Sequence, residues 1–257
     1  MGASFARYYD CVIPWPQRLA REMPLLEEIA RQAGGRVLVP ACGTGAHVVA
    51  LAERGFDVLG FDIDEDALAL AEEKIDSATA RITTSGGKAK LKLLDMARAH
   101  ELGPTFDAAL CLGNALPGLA EPGQLLAALC GVAGALRHGG IFFTQNLNYD
   151  RRWREKSRFF PVLAGETAEE EVLLVKFAEY EAESIDFHAM FLARPKTGGA
   201  WQSHIRTSRQ LPLFRTRLIE ILSDAGLSKF ECWGDYVKSP FDEEKSTDLI
   251  IVGEKVL

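Results

Sequence analysis

Residues 36–62 constrain the fold more than any other part of the chain. Arg36–Pro40 reads as a short apolar strand, Val37-Leu38-Val39, and runs straight into Ala41-Cys42-Gly43-Thr44-Gly45. A helix is expected at once over 45–54, closed by Gly55, and a second strand over Asp57–Asp62. Strand, glycine turn, helix and strand make a right-handed βαβ unit whose strands pair in parallel. Gly43 and Gly45 let the backbone approach a ligand, and the new helix presents free N–H groups to it. Asp62 ends the second strand beside that turn, where a carboxylate can accept hydrogen bonds from both hydroxyls of a ribose. A glycine turn with only a structural role is the alternative, and Asp62 argues against it. A dinucleotide fingerprint would add a third small residue. Val48 stands there, which favours a smaller adenosine compound over a pyrophosphate.

The same rhythm continues along the chain. A helix over 20–32 precedes the unit and is closed by Gly34-Gly35. Downstream come a helix over 64–74 with Asp64, Glu65 and Asp66 in its first turn, strands over 91–94 and 106–112, a helix over 122–136 and a strand over 141–145. This alternation predicts a parallel sheet covered on both faces. After residue 150 the pattern changes to alternating polar and apolar runs over 171–193 and 201–211, read as inserted antiparallel strands. A helix over 214–225 and two strands, 229–236 and 247–253, joined around Pro240, close the chain as a hairpin at the sheet edge.

Composition narrows the function. The 257 residues are 47% hydrophobic, enough for a full core in one domain, and the net charge of -7 suits nucleic acid poorly. No apolar run is long enough to cross a membrane, and the N-terminus lacks a basic-then-apolar leader pattern, so a soluble cytoplasmic protein is expected. Five scattered cysteines without a C-x-x-C pair, and five scattered histidines, point to neither a disulfide framework nor a metal site.

Residues 36–74 resemble motifs I and II of class I S-adenosylmethionine-dependent methyltransferases. Further pieces follow in that family's order. They are Asp95-Met96 after the third strand, the run from Phe106 to Asn114 with Leu112-Gly113-Asn114 at its end, and the terminal run from Thr247 to Lys255. The resemblance implies a Rossmann-like, seven-stranded, mainly parallel α/β sheet with a C-terminal antiparallel hairpin and an antiparallel β insert after the fifth strand. It divides one unit, 1–257, into an N-terminal lid and helix (1–33), a cofactor-binding core (34–150), a substrate-covering insert (151–211) and a last helix with the closing hairpin (212–257). It implies S-adenosyl-L-methionine as cofactor, held by Ala41, Gly43, Gly45, Asp62, Ile63, Asp95, Met96 and Leu112, with Asp95 on the adenine amino group.

Within the class, Ala41-Cys42-Gly43-Thr44-Gly45, Leu112-Gly113-Asn114 and Asn148-Tyr149-Asp150 look like glycine N-methyltransferase-like enzymes. In that group an arginine on the N-terminal helix holds the methionine carboxylate, and Arg18 matches it. A solvated helix charge is the other reading of Arg18. Two departures matter. Val39, followed by Pro40, stands where the family usually has an acid; a similar proline variant occurs in thiopurine methyltransferase-like proteins. Leu147 stands where glycine methyltransferases place the arginine that grips the substrate carboxylate, which argues against glycine itself as substrate.

The expected reaction is methyl transfer to a nitrogen or oxygen of a small molecule, by in-line displacement that depends mainly on positioning and exclusion of water. Asn114 and Tyr149 are the side chains expected near the acceptor. A loop-capping asparagine and a core tyrosine with one wet end are their bland readings. His188 or His204 would serve as base if one is needed, although each also reads as a strand-surface histidine. Tyr8, Tyr9 and Trp15 would close a lid or staple the first helix to the core. The cations of 151–158 read as a partly paired helix face rather than a nucleic-acid surface, and a D-P-P-Y motif is absent. A homo-oligomer is compatible with the sequence. Two other functions stay open at this point: a nicotinamide-dependent oxidoreductase on a similar sheet, against which Val48 and the missing Y-x-x-x-K pair speak, and a catalytically silent binding module.

Overall fold

The computed structural model of the chain describes residues 3–256; Met1, Gly2 and Leu257, at the ends of the expected single unit, lie outside the described residues. Seven strands form one sheet: β1 (Arg36–Pro40), β2 (Asp57–Asp62), β3 (Lys88–Leu93), β4 (Phe106–Cys111), β5 (Leu136–Leu147), β10 (Leu227–Trp233) and β11 (Asp248–Lys255). Their order is β10-β11-β5-β4-β1-β2-β3. β11 runs antiparallel to both β5 and β10, and the other neighbours pair in parallel. The hairpin therefore closes the sheet as expected, with β11 inside and β10 at the edge.

Side chains alternate across each strand, and the alternation sorts them into two cores. Val37 and Val39 of β1, Leu110 of β4 and Ile250 of β11 pack under helices α2 (Trp15–Ala33), α3 (Ala46–Ala52) and α4 (Glu65–Ser85). Leu38, Ala109, Phe142, Leu249 and Ile251 face α5 (Gln124–Ala135) and α7 (Arg215–Asp224). Each buried Leu or Phe contributes about 1.5–3 kcal/mol of transfer free energy.

The insert is a separate four-stranded antiparallel sheet, β6 (Leu163–Glu166), β7 (Glu170–Tyr180), β8 (Ile185–Pro195) and β9 (Gln202–Gln210). A short helix, α6 (Tyr149–Glu155), leads into it. An N-terminal helix, α1 (Ala3–Val12), packs on it through Tyr8 and Val12 against Val172, Leu174 and Phe191.

Among the differences from the sequence reading, those in the helices have clear physical reasons. α1 was not expected as a helix: a 10-residue helix is marginal alone and forms here by docking on the distant insert. α2 begins at Trp15 because Pro16 falls in its first turn, where a missing N–H costs nothing. α4 runs on to Ser85, since Ala78 and Ile82 continue its buried stripe until the left-handed Gly86 ends it.

Candidate active site

β1, β2, β4 and β5 all deliver their C-terminal ends to one edge of the sheet, and the loops there build the site. After Pro40 the chain turns through Ala41 (φ 49°), Gly43 (φ 51°) and Gly45 (φ 75°), three left-handed residues in five. Gly43 N–H donates to Asp62 Oδ2 at 2.8 Å, while Ile63 and Asp64 N–H donate to Oδ1 at 2.8 and 3.1 Å. Three backbone donors thus fix the Asp62 carboxylate against the glycine loop.

A cavity of about 300 Å³ opens in front of this loop. Of the residues expected to bind cofactor, Arg18, Ala41, Gly43, Asp62 and Leu112 line it. Gly45, Ile63, Asp95 and Met96 do not line it. Gly45 has a structural reason of its own, because a Cβ there would come 2.7 Å from Ala71 Cβ on α4. Ile63 is 72% exposed and Met96 is buried. Asp95 caps a 3-10 turn, Met96–Leu102, by accepting from Ala97 N–H at 2.8 Å. β3 pairs with β2 as far as Leu93 opposite Asp62, so Asp95 emerges at the same sheet edge, beyond Asp62.

α1 and the start of α2 roof the cavity with Phe5, Tyr9 and Trp15. Asp10 latches this roof. Its Oδ1 accepts from Trp15 Nε1 at 2.8 Å, Thr44 Oγ1 at 2.5 Å and Lys74 Nζ at 2.5 Å. Tyr8 is a staple instead: its hydroxyl donates to Glu170 Oε2 at 2.7 Å, away from the cavity.

Arg18 is no solvated helix charge. It is mostly buried, its Nε donates to Glu22 Oε1 at 3.0 Å, and its guanidinium lies 5.1 Å from the centre of the Trp15 ring. Glu22, 1% exposed, also accepts from Arg21 at 3.0 Å and from His47 Nε2 at 2.7 Å. Burial alone would raise this carboxyl, but the His47 hydrogen bond and the Arg18 charge outweigh it and hold it at about 2. Burial pushes His47 down, against the opposing pull of Glu22. The proton between them therefore sits on His47 Nε2, with Glu22 ionised.

A second cavity, about 750 Å³, adjoins the first; both are walled by Tyr9, Arg18, Gly113, Ala189 and Arg206. Asn114 and Leu147 line it on the core side. Asn114 Oδ1 accepts from Leu147 N–H at 2.9 Å, and Asn114 Nδ2 donates to the Tyr149 hydroxyl at 3.0 Å. That hydroxyl donates on to Gln210 Oε1 at 3.0 Å. Tyr149 is fully buried, lines neither of the two cavities, and has its hydroxyl pushed up to about 12 by burial. Seen from the second cavity, it stands behind Asn114.

The two candidate bases do not line the second cavity either. His188 stacks on Phe177 at 4.5 Å and meets Thr207 Oγ1 at 2.8 Å, in a row on the face of the insert turned from the site. His204 lies under α1 between Phe5 and Tyr8. Asn148 and Asp150 are structural. Asn148 caps α6 and holds the carbonyls of Asp242, Glu243 and Ser246, and Asp150 accepts from Arg215 N–H. The basic run is largely neutralised, Arg151 by Glu155, Arg154 by Glu244 and Arg158 by Glu179.

Known proteins resemble this chain in sequence and in fold. The thiopurine S-methyltransferase family profile matches residues 5–97. A glycine/sarcosine N-methyltransferase of Parasynechococcus marenigrum (strain WH8102) is 28% identical over 253 residues, 98% of this chain and 83% of its own. The chain is a class I S-adenosylmethionine-dependent methyltransferase. The methyltransferase superimposes on an S-adenosylmethionine-dependent methyltransferase from Clostridium acetobutylicum with a TM-score of 0.72 at 16% identity, covering 91% and 90% of the two chains. An amino pentose methyltransferase from Micromonospora echinaspora, solved with S-adenosylmethionine bound, gives 0.70 at 20% identity over 95% and 92%. The oxidoreductase and the silent module are thereby set aside.

Two features the sequence left open now have reasons. Pro40 is tolerated in a central strand because the pairing of β1 with β4 ends at Leu38, so its missing N–H breaks no bond on that side. Val48 replaces a small residue because room is made on the opposite partner: a Cβ on Gly60 would come 2.6 Å from Val48 Cγ2. Sequence reasoning missed Glu22, His47, Asp10 and Gln210. Each is a polar residue with at least one partner 25 or more residues away, which no local pattern reveals. Among the described residues, no helix is long and apolar enough to cross a membrane.

Proposed function

We propose that this methyltransferase transfers a methyl group to an amine nitrogen of a small molecule, with the cofactor in the smaller cavity and the acceptor in the larger. The observation that carries this reading is the shared boundary of the two cavities at Arg18 and Gly113, which lets two ligands meet end to end. The cofactor fits the residues present. Asp62 is held for a ribose diol, Asp95 for an adenine amino group, and Arg18 for a carboxylate that would share it with Glu22. Nothing stands within 4 Å of a Cβ built on Gly43, so the loop is open to a ligand. Ile63 and Met96 flank the same edge, and Leu112 walls the cavity.

S-adenosylmethionine supplies a methyl on a positively charged sulfur, which an in-line nucleophile displaces to leave S-adenosylhomocysteine. The protein contributes alignment, and the roof of Phe5, Tyr9 and Trp15 excludes water. Nitrogen is favoured over oxygen because an amine in its neutral form attacks without a base and its methylated ammonium product sheds the proton to water afterwards, whereas a hydroxyl needs a base as it attacks. Glu22 is saturated by three donors, and the Asp248 carboxyl is raised by burial and accepts from Gln145 at 2.8 Å. Neither is a free base. The relative named a glycine/sarcosine N-methyltransferase supports nitrogen as well. Asn114, set by Tyr149, orients the amine. The test is calorimetric titration with S-adenosylmethionine and S-adenosylhomocysteine, followed by mass-spectrometric detection of methyl transfer to matched amines and alcohols. Transfer to an alcohol but not to its amine counterpart would overturn the nitrogen assignment.

A further inference from the structure

The wall that the insert turns toward the acceptor cavity carries an unexpected row. Lys176 on β7 stands opposite Ala189 on β8, and Ala189 stands opposite Arg206 on β9. Residues directly opposed in an antiparallel sheet project from the same face. Two cations therefore flank one methyl group, and all three residues line the cavity. Adjacent strands lie ~4.8 Å apart, which leaves roughly 10 Å between the outer backbones, a gap two long side chains can close on one small anion.

The charges around them do not cancel. Glu22 is already shared by Arg18, Arg21 and His47, and Asp248 is bound by Gln145. Among the described residues, no carboxylate pairs with Lys176 within 4.0 Å. Its charged neighbours are the cations Arg152 and Arg18, and burial together with those charges pushes its amine down. Arg206 has only a distant exposed contact, 3.9 Å from Asp64. A half-buried ammonium without a counter-ion is costly, and an anionic ligand would relieve that cost.

We propose that the methyl acceptor carries an anionic group, a carboxylate or a phosphate, and that Lys176 and Arg206 hold it across Ala189. This rests on the reading of the larger cavity as the acceptor site. The anion is then gripped by the insert, across the cavity from the β5 end where Leu147 offers no charge. The side chains act together: Lys176 supplies a point charge, and Arg206 a planar fork.

The test uses the full chain with isotope-labelled lysine side chains, read by NMR, the Lys176 signal being assigned by its loss in Lys176→Met. S-adenosylhomocysteine is titrated first. β-Alanine, its amide β-alaninamide, which keeps the amine but lacks the carboxylate, and phosphoethanolamine are then added up to tens of millimolar, with and without S-adenosylhomocysteine. The expected result is a saturable shift of the Lys176 signal with an anionic probe, absent with β-alaninamide. Apparent affinity should fall about tenfold in Arg206→Gln and in Lys176→Met followed by calorimetry, and be largely kept in Lys176→Arg. The stronger of the two anionic probes identifies carboxylate or phosphate. An equal response to β-alaninamide, or no response of Lys176 to any probe, overturns the proposal. Failure of S-adenosylhomocysteine to bind instead overturns the cofactor reading, while the anion response of Lys176 is still judged on its own.

Discussion

Asn114 Nδ2 and the Tyr149 hydroxyl lie 3.0 Å apart, and Asn114 is held in a left-handed backbone conformation at φ 61°. The hydroxyl is thus a strut that fixes an asparagine already strained by its loop. Tyr149→Phe would keep the ring and leave Asn114 Nδ2 and Gln210 Oε1 each short of a partner. The expected cost is about 1–3 kcal/mol of stability, read as a lower Tm. Acceptor KM should rise several-fold while S-adenosylhomocysteine affinity changes little. An equal loss in both affinities would remove the strut role.

The sheet was legible because its signals are local. Alternating apolar runs, glycine stops and the acid after β2 each occupy a few consecutive residues. The contact between the glycine turn and the acid followed from them, as Gly43 and Asp62 touch through a hydrogen bond. The larger cavity was not legible for the opposite reason. Lys176, Ala189 and Arg206 become neighbours only through strand register, and Glu22 meets His47 across 25 residues. Tyr149 was visible as a residue near the site, but a sequence pattern does not tell a side chain in the wall from one behind it.

Glu22 gives the fold an acid limit. Its carboxyl is held at about 2 against an ordinary 4.5, so it favours the folded state fully above pH 4.5 and loses that contribution as pH falls toward 2. The contribution is on the order of 3 kcal/mol. His47 acts in the same direction: burial lowers it, so the folded state resists a proton that the unfolded chain accepts below 6.5. Denaturant titrations at a series of pH values should show stability falling on acidification. In Glu22→Gln the curve should start lower at neutral pH and be flatter below 4.5. An unaltered acid limb in that variant would show that Glu22 does not carry it.

Asp62 is pinned by three backbone donors and lines the smaller cavity. Asp62→Ala should weaken S-adenosylhomocysteine binding by roughly 1–3 kcal/mol, the scale of lost charged hydrogen bonds. Asp62→Asn separates charge from shape and should fall between the two. Wild-type affinity in Asp62→Ala would remove the ribose assignment.

The Asp10 latch joins α1, the glycine loop and α4 through one carboxylate oxygen. Removing it in Asp10→Ala leaves Lys74 without its counter-ion and frees the Trp15 indole. Hydrogen exchange over 5–12 should quicken, and cofactor dissociation should accelerate severalfold, because both report opening of the roof. Global stability should move by only about 1 kcal/mol, since the ion pair is partly exposed. Unchanged exchange in α1 would mean that packing of Tyr8 and Val12 on the insert, rather than the latch, holds the roof shut.

Val48 and Gly60 exchange the sizes usual for a glycine-turn helix packed on a strand. A methyl added at Gly60 would come 2.6 Å from Val48 Cγ2 and 3.0 Å from Cys42 Sγ, closer than atoms can pack. Gly60→Ala must then push α3 away from β2 and disturb the glycine loop at its N-terminus. The expected loss is about 1–3 kcal/mol, with weaker cofactor binding as the loop shifts. Val48→Ala alone opens a small void in a fully buried position and should also destabilise. The double variant restores the space and should be more stable than the sum of the single losses predicts, by about 0.5–3 kcal/mol. Strict additivity in Tm and denaturant midpoint would mean that Cys42, not Val48, meets the added methyl.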